Sequence, residues 1–220
     1  MPPALIVFDL DGTLIDSRRD LADSANELIG RYGGRVLPVH EVTGMVGEGA
    51  RMLIARAFRA AGLDESPDEA LPAFLEIYGR RLFDHTRPYE GVQEMLRDAA
   101  AAAPLAVLTN KPQHPADRLV AHFGFDRLVR RVIGGDAGFP RKPAPDGLLA
   151  LAGEVGAPPG RTLLVGDSWI DHETAAAAGA LVCVARYGFG WARFDQGRLR
   201  GDEWVIDAPR ELARVMGGGR

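Results

Sequence analysis

The sequence predicts an α/β fold: a Rossmann-like parallel sheet core covered by helices, with an all-helical cap inserted after the first strand. Three observations predict it. Short, continuous apolar runs recur along the chain, each ending in polar residues or glycine. Helical patterns of ten to fifteen residues separate the later runs. A long stretch after the first run has helical spacing and contains no strand-like run. Continuous apolar runs that alternate with helices indicate strands buried on both faces of a parallel sheet.

The strand candidates are "LIVFD" (5–9), "LAVLTN" (105–110), "LVRRVIGGD" (128–136), "TLLVGD" (162–167), "LVCVA" (181–185) and "WVI" (204–206). Between them, "VQEMLRDAAAAA", "PADRLVAHFG", "PDGLLALAGEVG" and "DHETAAAAGA" read as helices. Their alanine runs are simple in composition, but alanine is the best helix former. In the insertion, Leu21, Ala25, Leu28, Ile29 and Tyr32 follow helical spacing, and "EGARMLIARAFRAAG" and "DEALPAFLEIYGRRLF" give two further helices. Ser17, with Asp20 three residues on, reads as a capping box that starts the first of these helices. The expected organisation is a core of residues 1–16 and 88–220 with a cap of 17–87, joined by linkers near Asp16 and near Pro88 to Gly91. The terminal "VMGGGR" reads as a frayed tail.

The 220 residues suffice for one such domain, and a hydrophobic fraction of 46% allows a sizeable core. A net charge of −4, with both signs mixed along the chain, argues against nucleic acid or an anionic membrane as main partner. The single cysteine, Cys183, excludes a disulfide framework and sits in a strand pattern as a small core hydrophobe. "MPPALIVFD" lacks the basic region of a signal peptide, and no run reaches membrane-spanning length, so a cytoplasmic location is expected.

Function is legible where the strands end. In open parallel sheets, ligands bind beyond the carboxyl ends of the strands. There the sequence places Asp9 and Asp11, Thr109 and Asn110, Lys142, and Asp167 with Asp171. Crowded carboxylates repel unless a cation sits among them, and an all-oxygen set without His or Cys suits Mg²⁺. One carboxylate can act as nucleophile, and a second, two residues on, can protonate a departing alkoxide and then activate water. Gly12 allows a tight turn at a phosphate, Thr109 can donate its hydroxyl to it, and Lys142 supplies positive charge. Phosphoryl transfer needs mainly such positioning and neutralisation.

"DLDGTLIDS", "LTN", "KPAP" and "GDSWID" resemble, in order, the four motifs of the haloacid dehalogenase superfamily. The resemblance spans essentially the whole chain. It implies Asp9 as nucleophile and Asp11 as general acid/base. Mg²⁺ would be held by Asp9, the backbone carbonyl of Asp11 and Asp167, with Asp171 a ligand through water or an orienting group. Thr109, Asn110 and Lys142 would hold the phosphate. Aspartate at both 9 and 11 points to phosphatases within the superfamily. "VGEGARMLIARA" (46–57) and "RPYEGV" (87–92) are similar to segments of phosphoglycolate phosphatases, which makes 2-phosphoglycolate the first expected substrate; other small phosphate esters, sugar phosphates and nucleoside monophosphates remain open. Gly47, Glu48, Gly49 and Arg51 would form a cap loop over the site. Arg51 is a substrate-binding candidate on that basis; otherwise it is one more exposed helix charge like Arg56 and Arg59.

Other residues have plainer readings. Asp16 reads as a solvated turn residue, His172 as a surface residue, and Trp169 as either pocket wall or packing. Two rival functions remain open: a phosphosugar mutase, against which Thr13 speaks because resembling mutases more often carry an apolar residue there, and a phospho-receiver module. The expected partner is a small phosphorylated metabolite, and the expected state a monomer or homodimer.

Overall fold

The computed structural model of the chain describes residues 2–199 and 201–217. Six strands form one parallel sheet: β1 (Leu5–Phe8), β4 (Leu105–Leu108), β5 (Val129–Ile133), β6 (Thr162–Gly166), β7 (Leu181–Ala185) and β8 (Trp204–Ile206). Their order is β5-β4-β1-β6-β7-β8, with β1 central. All six apolar runs read from the sequence are these strands.

Each central strand is apolar throughout because both of its faces are covered. Leu5 and Val7 point to one face with Leu108, Leu148, Leu151, Leu164 and Ala175. Ile6 and Phe8 point to the other with Val92, Leu96, Val107, Leu119 and Val165. The two layers come from helices α5 (Val92–Ala102) and α6 (Gln113–His122) on one side, and α7 (Asp146–Glu154) and α8 (Trp169–Ala178) on the other. A last short helix, α9 (Leu212–Met216), packs on α5. Val215 is buried there and Met216 belongs to the helix, so the frayed-tail expectation does not hold for these two residues. The tail's final residues, 218–220, lie outside the described part.

Two features of the insertion were not read from the sequence. The chain leaves β1 through β2 (Ile15–Asp16) and returns through β3 (Arg87–Pro88), and these pair antiparallel, Ile15 with Pro88 and Asp16 with Arg87. Asp16, expected as a turn residue, is thus a strand residue, and its carboxylate is held by Arg18 at 2.6 Å. A short helix, α2 (Val39–Thr43), also joins the expected α1 (Arg18–Arg31), α3 (Ala50–Ala61) and α4 (Pro67–Arg81). Leu21, Leu28, Leu53, Phe58, Phe74 and Ile77 pack these helices together.

The capping box at the start of α1 does not form. Ser17 makes no side-chain cap; its hydroxyl donates to Asp11 Oδ1 at 2.5 Å. Asp20 instead reaches across to the returning chain. Its carboxylate accepts from the backbone N–H of His85 (2.9 Å) and Thr86 (2.8 Å) and from the Thr86 hydroxyl (2.7 Å). The two local residues serve long-range contacts because both are buried and the partners they meet lie six and sixty-six residues away.

Candidate active site

The carboxyl end of the sheet gathers the polar groups. Asp9 follows β1 directly, and its backbone N–H bonds to Val165 O, which fixes it beside β6. Asp167 follows β6, and Asp171 lies in the first turn of α8. Carboxylate oxygens of Asp9, Asp167 and Asp171 all lie within 4.8 Å of one another, and all three residues are buried. Lys142 comes from the loop after β5. Its ammonium is 2.9 Å from Asp9 Oδ1 and 2.6 Å from Asp171 Oδ1.

Each acid is locked. Ser168 and Asp171 form a true capping box at the start of α8, with the Ser168 hydroxyl donating to Asp171 Oδ2 at 2.6 Å. Asp167 Oδ2 accepts the N–H of Gly190 at 2.7 Å. Gly12, at φ +93°, turns the chain tightly over this cluster; a Cβ there would fall 2.0 Å from Asp167 Oδ2.

Electrostatics follow from this crowding. Burial pushes the Asp9 carboxyl up to about 6; Lys142 opposes the rise, and Asp171 adds to it. Asp167 is raised well above the carboxylate range, first by burial and then by Asp171 and Asp9. Burial would lower the Lys142 ammonium, but Asp171 and Asp9 outweigh it and raise it. Three buried carboxylates face one ammonium, which leaves two negative charges uncompensated when all are ionised. An all-oxygen donor set with that residual charge fits a hard divalent cation such as Mg²⁺.

Asp11 faces away from this cluster. Both its oxygens lie 2.9 Å from the Lys111 ammonium, and Ser17 donates to it as well. Lys111 was not singled out from the sequence, although it directly follows the "LTN" run that ends β4. It is 6% exposed, and its position in the site follows from a contact one hundred residues apart in the chain. Thr109 and Asn110 are also buried on this rim. The Asn110 amide donates to Gly47 O and to Lys142 O, each at 2.9 Å, and so ties the rim to the insertion. The Thr13 hydroxyl is buried with no hydrogen-bond partner among the described residues.

A cavity of about 50 Å³ lies between rim and insertion. Asp9, Asp11, Thr109, Asn110 and Lys111 line one side; Val46, Leu53, Phe74 and Tyr78 line the other. Gly47 and Gly49 border it. Arg51 does not. It lies on the exposed side of α3 and pairs with Asp68 at 2.6 Å, so its substrate-binding assignment is corrected to a surface ion pair. Glu48 pairs with Arg56. Trp169 is likewise outside the cavity lining, with Arg198 stacked over its ring at 5.8 Å. His172, expected at the surface, is 5% exposed and bonded to Glu203 at 2.7 Å, because the loop before β8 folds over α8.

Fold and site together define a class: an α/β enzyme whose centre is built of carboxylates at the ends of parallel strands. Comparison with known proteins narrows it. Residues 6–185 match the family described as haloacid dehalogenase-like hydrolase. A phosphoglycolate phosphatase of Rhodospirillum rubrum is 40% identical over 195 residues, covering 85% of this chain and 81% of that one. One from Xanthomonas campestris pv. campestris is 34% identical, covering 94% of each. The crystal structure of a predicted phosphoglycolate phosphatase from Haemophilus somnus superposes with a TM-score of 0.88 at 32% identity, over 96% of this chain and 97% of that one. The chain belongs to the haloacid dehalogenase-like hydrolase family. Among the described residues, no helix is long and apolar enough to cross a membrane.

Proposed function

We propose that the chain is a Mg²⁺-dependent phosphatase of small phosphate monoesters, acting through a phosphoaspartate on Asp9, with 2-phosphoglycolate as substrate. One observation carries the reading: Asp9, Asp167 and Asp171 converge within 4.8 Å, with Lys142 bonded to two of them.

Asp9 and Asp167 would hold the metal together with the Asp11 carbonyl, and Asp171 would orient the set. Mg²⁺, when bound, would neutralise charge on the acids and on the transferring phosphoryl group. An Asp9 oxygen attacks phosphorus, forming the Asp9 O–P bond as the ester P–O bond breaks. The Thr109 hydroxyl and Lys142 hold the phosphoryl oxygens. Asp11 delivers a proton to the leaving alkoxide, then takes one from the water that attacks phosphorus and frees Asp9. Ser17 and Lys111 hold Asp11 on the leaving-group side, toward the cavity. The helical cap excludes bulk water while the phosphoryl group is on Asp9.

Two further points support the substrate. Relatives that cover most of this chain are named phosphoglycolate phosphatase. The cavity beside Asp9 and Asp11, bordered by the insertion, accommodates a small leaving group. The test is phosphate release with Mg²⁺ from 2-phosphoglycolate, glucose 6-phosphate, glucose 1-phosphate and a nucleoside monophosphate. The highest kcat/KM is expected for 2-phosphoglycolate. Conversion of glucose 1-phosphate to its isomer without free phosphate would point to a mutase instead, and no reaction with any ester would overturn the reading.

A further inference from the structure

We propose that Lys111 and Tyr78 form a subsite for a carboxylate that the substrate carries beside its phosphate ester. The inference rests on the phosphatase reading above and assigns the residues that select its substrate.

Two buried lysines approach the site, and they have separate duties. Lys142 spends two of its three donors on Asp9 and Asp171, which leaves one for the phosphoryl oxygens, and it does not line the cavity. Lys111 does line it, and among the cavity's lining residues it is the one cation. Its ammonium sits 2.9 Å from both Asp11 oxygens and 4.7 Å from the centre of the Tyr78 ring. Tyr78 comes from α4, on the opposite wall. It is 2% exposed; the Lys111 ammonium lies near enough to act on its phenolic oxygen, but the hydroxyl proton has no acceptor among the described residues. A buried hydroxyl whose proton finds no acceptor is disfavoured unless a ligand supplies one.

The remaining wall contributed by the insertion is apolar, with Leu53, Phe74 and Leu75. An uncharged leaving group would suit that wall but leave the Tyr78 hydroxyl proton without an acceptor. A carboxylate satisfies both polar groups, one oxygen accepting from the ammonium and the other from the phenol. Lys111 has three donors, so it can bind such a ligand without releasing Asp11. A second phosphate, more highly charged, would face only this one ammonium among the lining residues. The subsite straddles the β4 loop and α4, so a carboxylate bound there draws the insertion onto the rim, where it would also orient the ester oxygen toward Asp11.

The test compares kcat/KM for 2-phosphoglycolate with that for ethyl phosphate, which has the same ester but no carboxylate. With Mg²⁺ present, the wild type is expected to favour 2-phosphoglycolate by about 100-fold, equivalent to about 2.7 kcal/mol at 1.36 kcal/mol per tenfold. Lys111→Met is expected to bring the ratio to within about fivefold of unity, and Tyr78→Phe to lower it by about tenfold. Tyr78→Phe keeps the ring and its packing, so it decides the matter if Lys111→Met does not fold. A wild type without preference, or variants in which both esters lose activity equally, would overturn the carboxylate subsite and leave the phosphatase reading standing. Phosphate release from neither ester would overturn the phosphatase reading and the subsite with it.

Discussion

Replacing Asp20 with alanine tests how the helical insertion is held to the core. The carboxylate is 1% exposed and joins α1 to the segment that returns to β3. Three donors converge on it: the N–H groups of His85 and Thr86 and the Thr86 hydroxyl, at 2.7–2.9 Å. In the alanine variant the Thr86 hydroxyl can turn elsewhere and the His85 N–H is near solvent. The Thr86 N–H stays buried and unpaired, which costs about 1–3 kcal/mol. Loss of the charge-assisted bonds themselves adds about 1–2 kcal/mol. We expect a total near 3 kcal/mol, read as a lower urea midpoint at unchanged slope, or as a fall in Tm of about 6–12 °C for a chain of this size. Asp20→Asn keeps one acceptor oxygen and should lose about half as much. An alanine variant within about 0.5 kcal/mol of the wild type would show that these bonds do not secure the return segment, and would refute the reasoning.

Further outcomes are expected at the site. Asp9→Asn should lower kcat by at least about 10⁴-fold with every good substrate while the folded protein remains; near-normal turnover would exclude covalent catalysis at Asp9. Excess chelator should stop phosphate release, Mg²⁺ should restore it, and Ca²⁺ should restore it poorly because it tolerates looser coordination; full activity without metal would remove the magnesium assignment. In metal-free protein, Asp9 holds its proton more tightly folded than unfolded, so stability is lost as pH rises from about 4 to about 6. The measurement is the difference in urea stability between wild type and Asp9→Asn across that window, which is expected to shift against the wild type as pH rises. A difference that does not change with pH would contradict the burial of an ionisable Asp9. Gly12→Ala should cut turnover by at least about 100-fold, since a Cβ would lie 2.0 Å from Asp167 Oδ2 and φ is +93°; normal kinetics would mean that the Gly12 turn does not shape the centre.

The amino-acid sequence is enough to place the six strands and the helices between them, because each signal is local. A strand buried on both faces must be apolar at successive positions, and β1, β4 and β6 are. It also determined which carboxylates stand at the rim, since Asp9 and Asp167 directly follow strands whose carboxyl ends share one edge. Tertiary structure alone decided which partner each polar side chain takes. Ser17 and Asp20 have the spacing of a capping box, yet Ser17 turns to Asp11 and Asp20 to Thr86. For Arg51 the sequence leaves a substrate ligand and an exposed helix charge both open, and the rotation of α3 points it outward to Asp68. Lys111 is marked in the sequence only by following "LTN" at the end of β4, which does not say whether it is buried. Folding buries it against Asp11 and Tyr78, and in a region of low polarity a charge takes the nearest opposite charge in space, however distant in sequence.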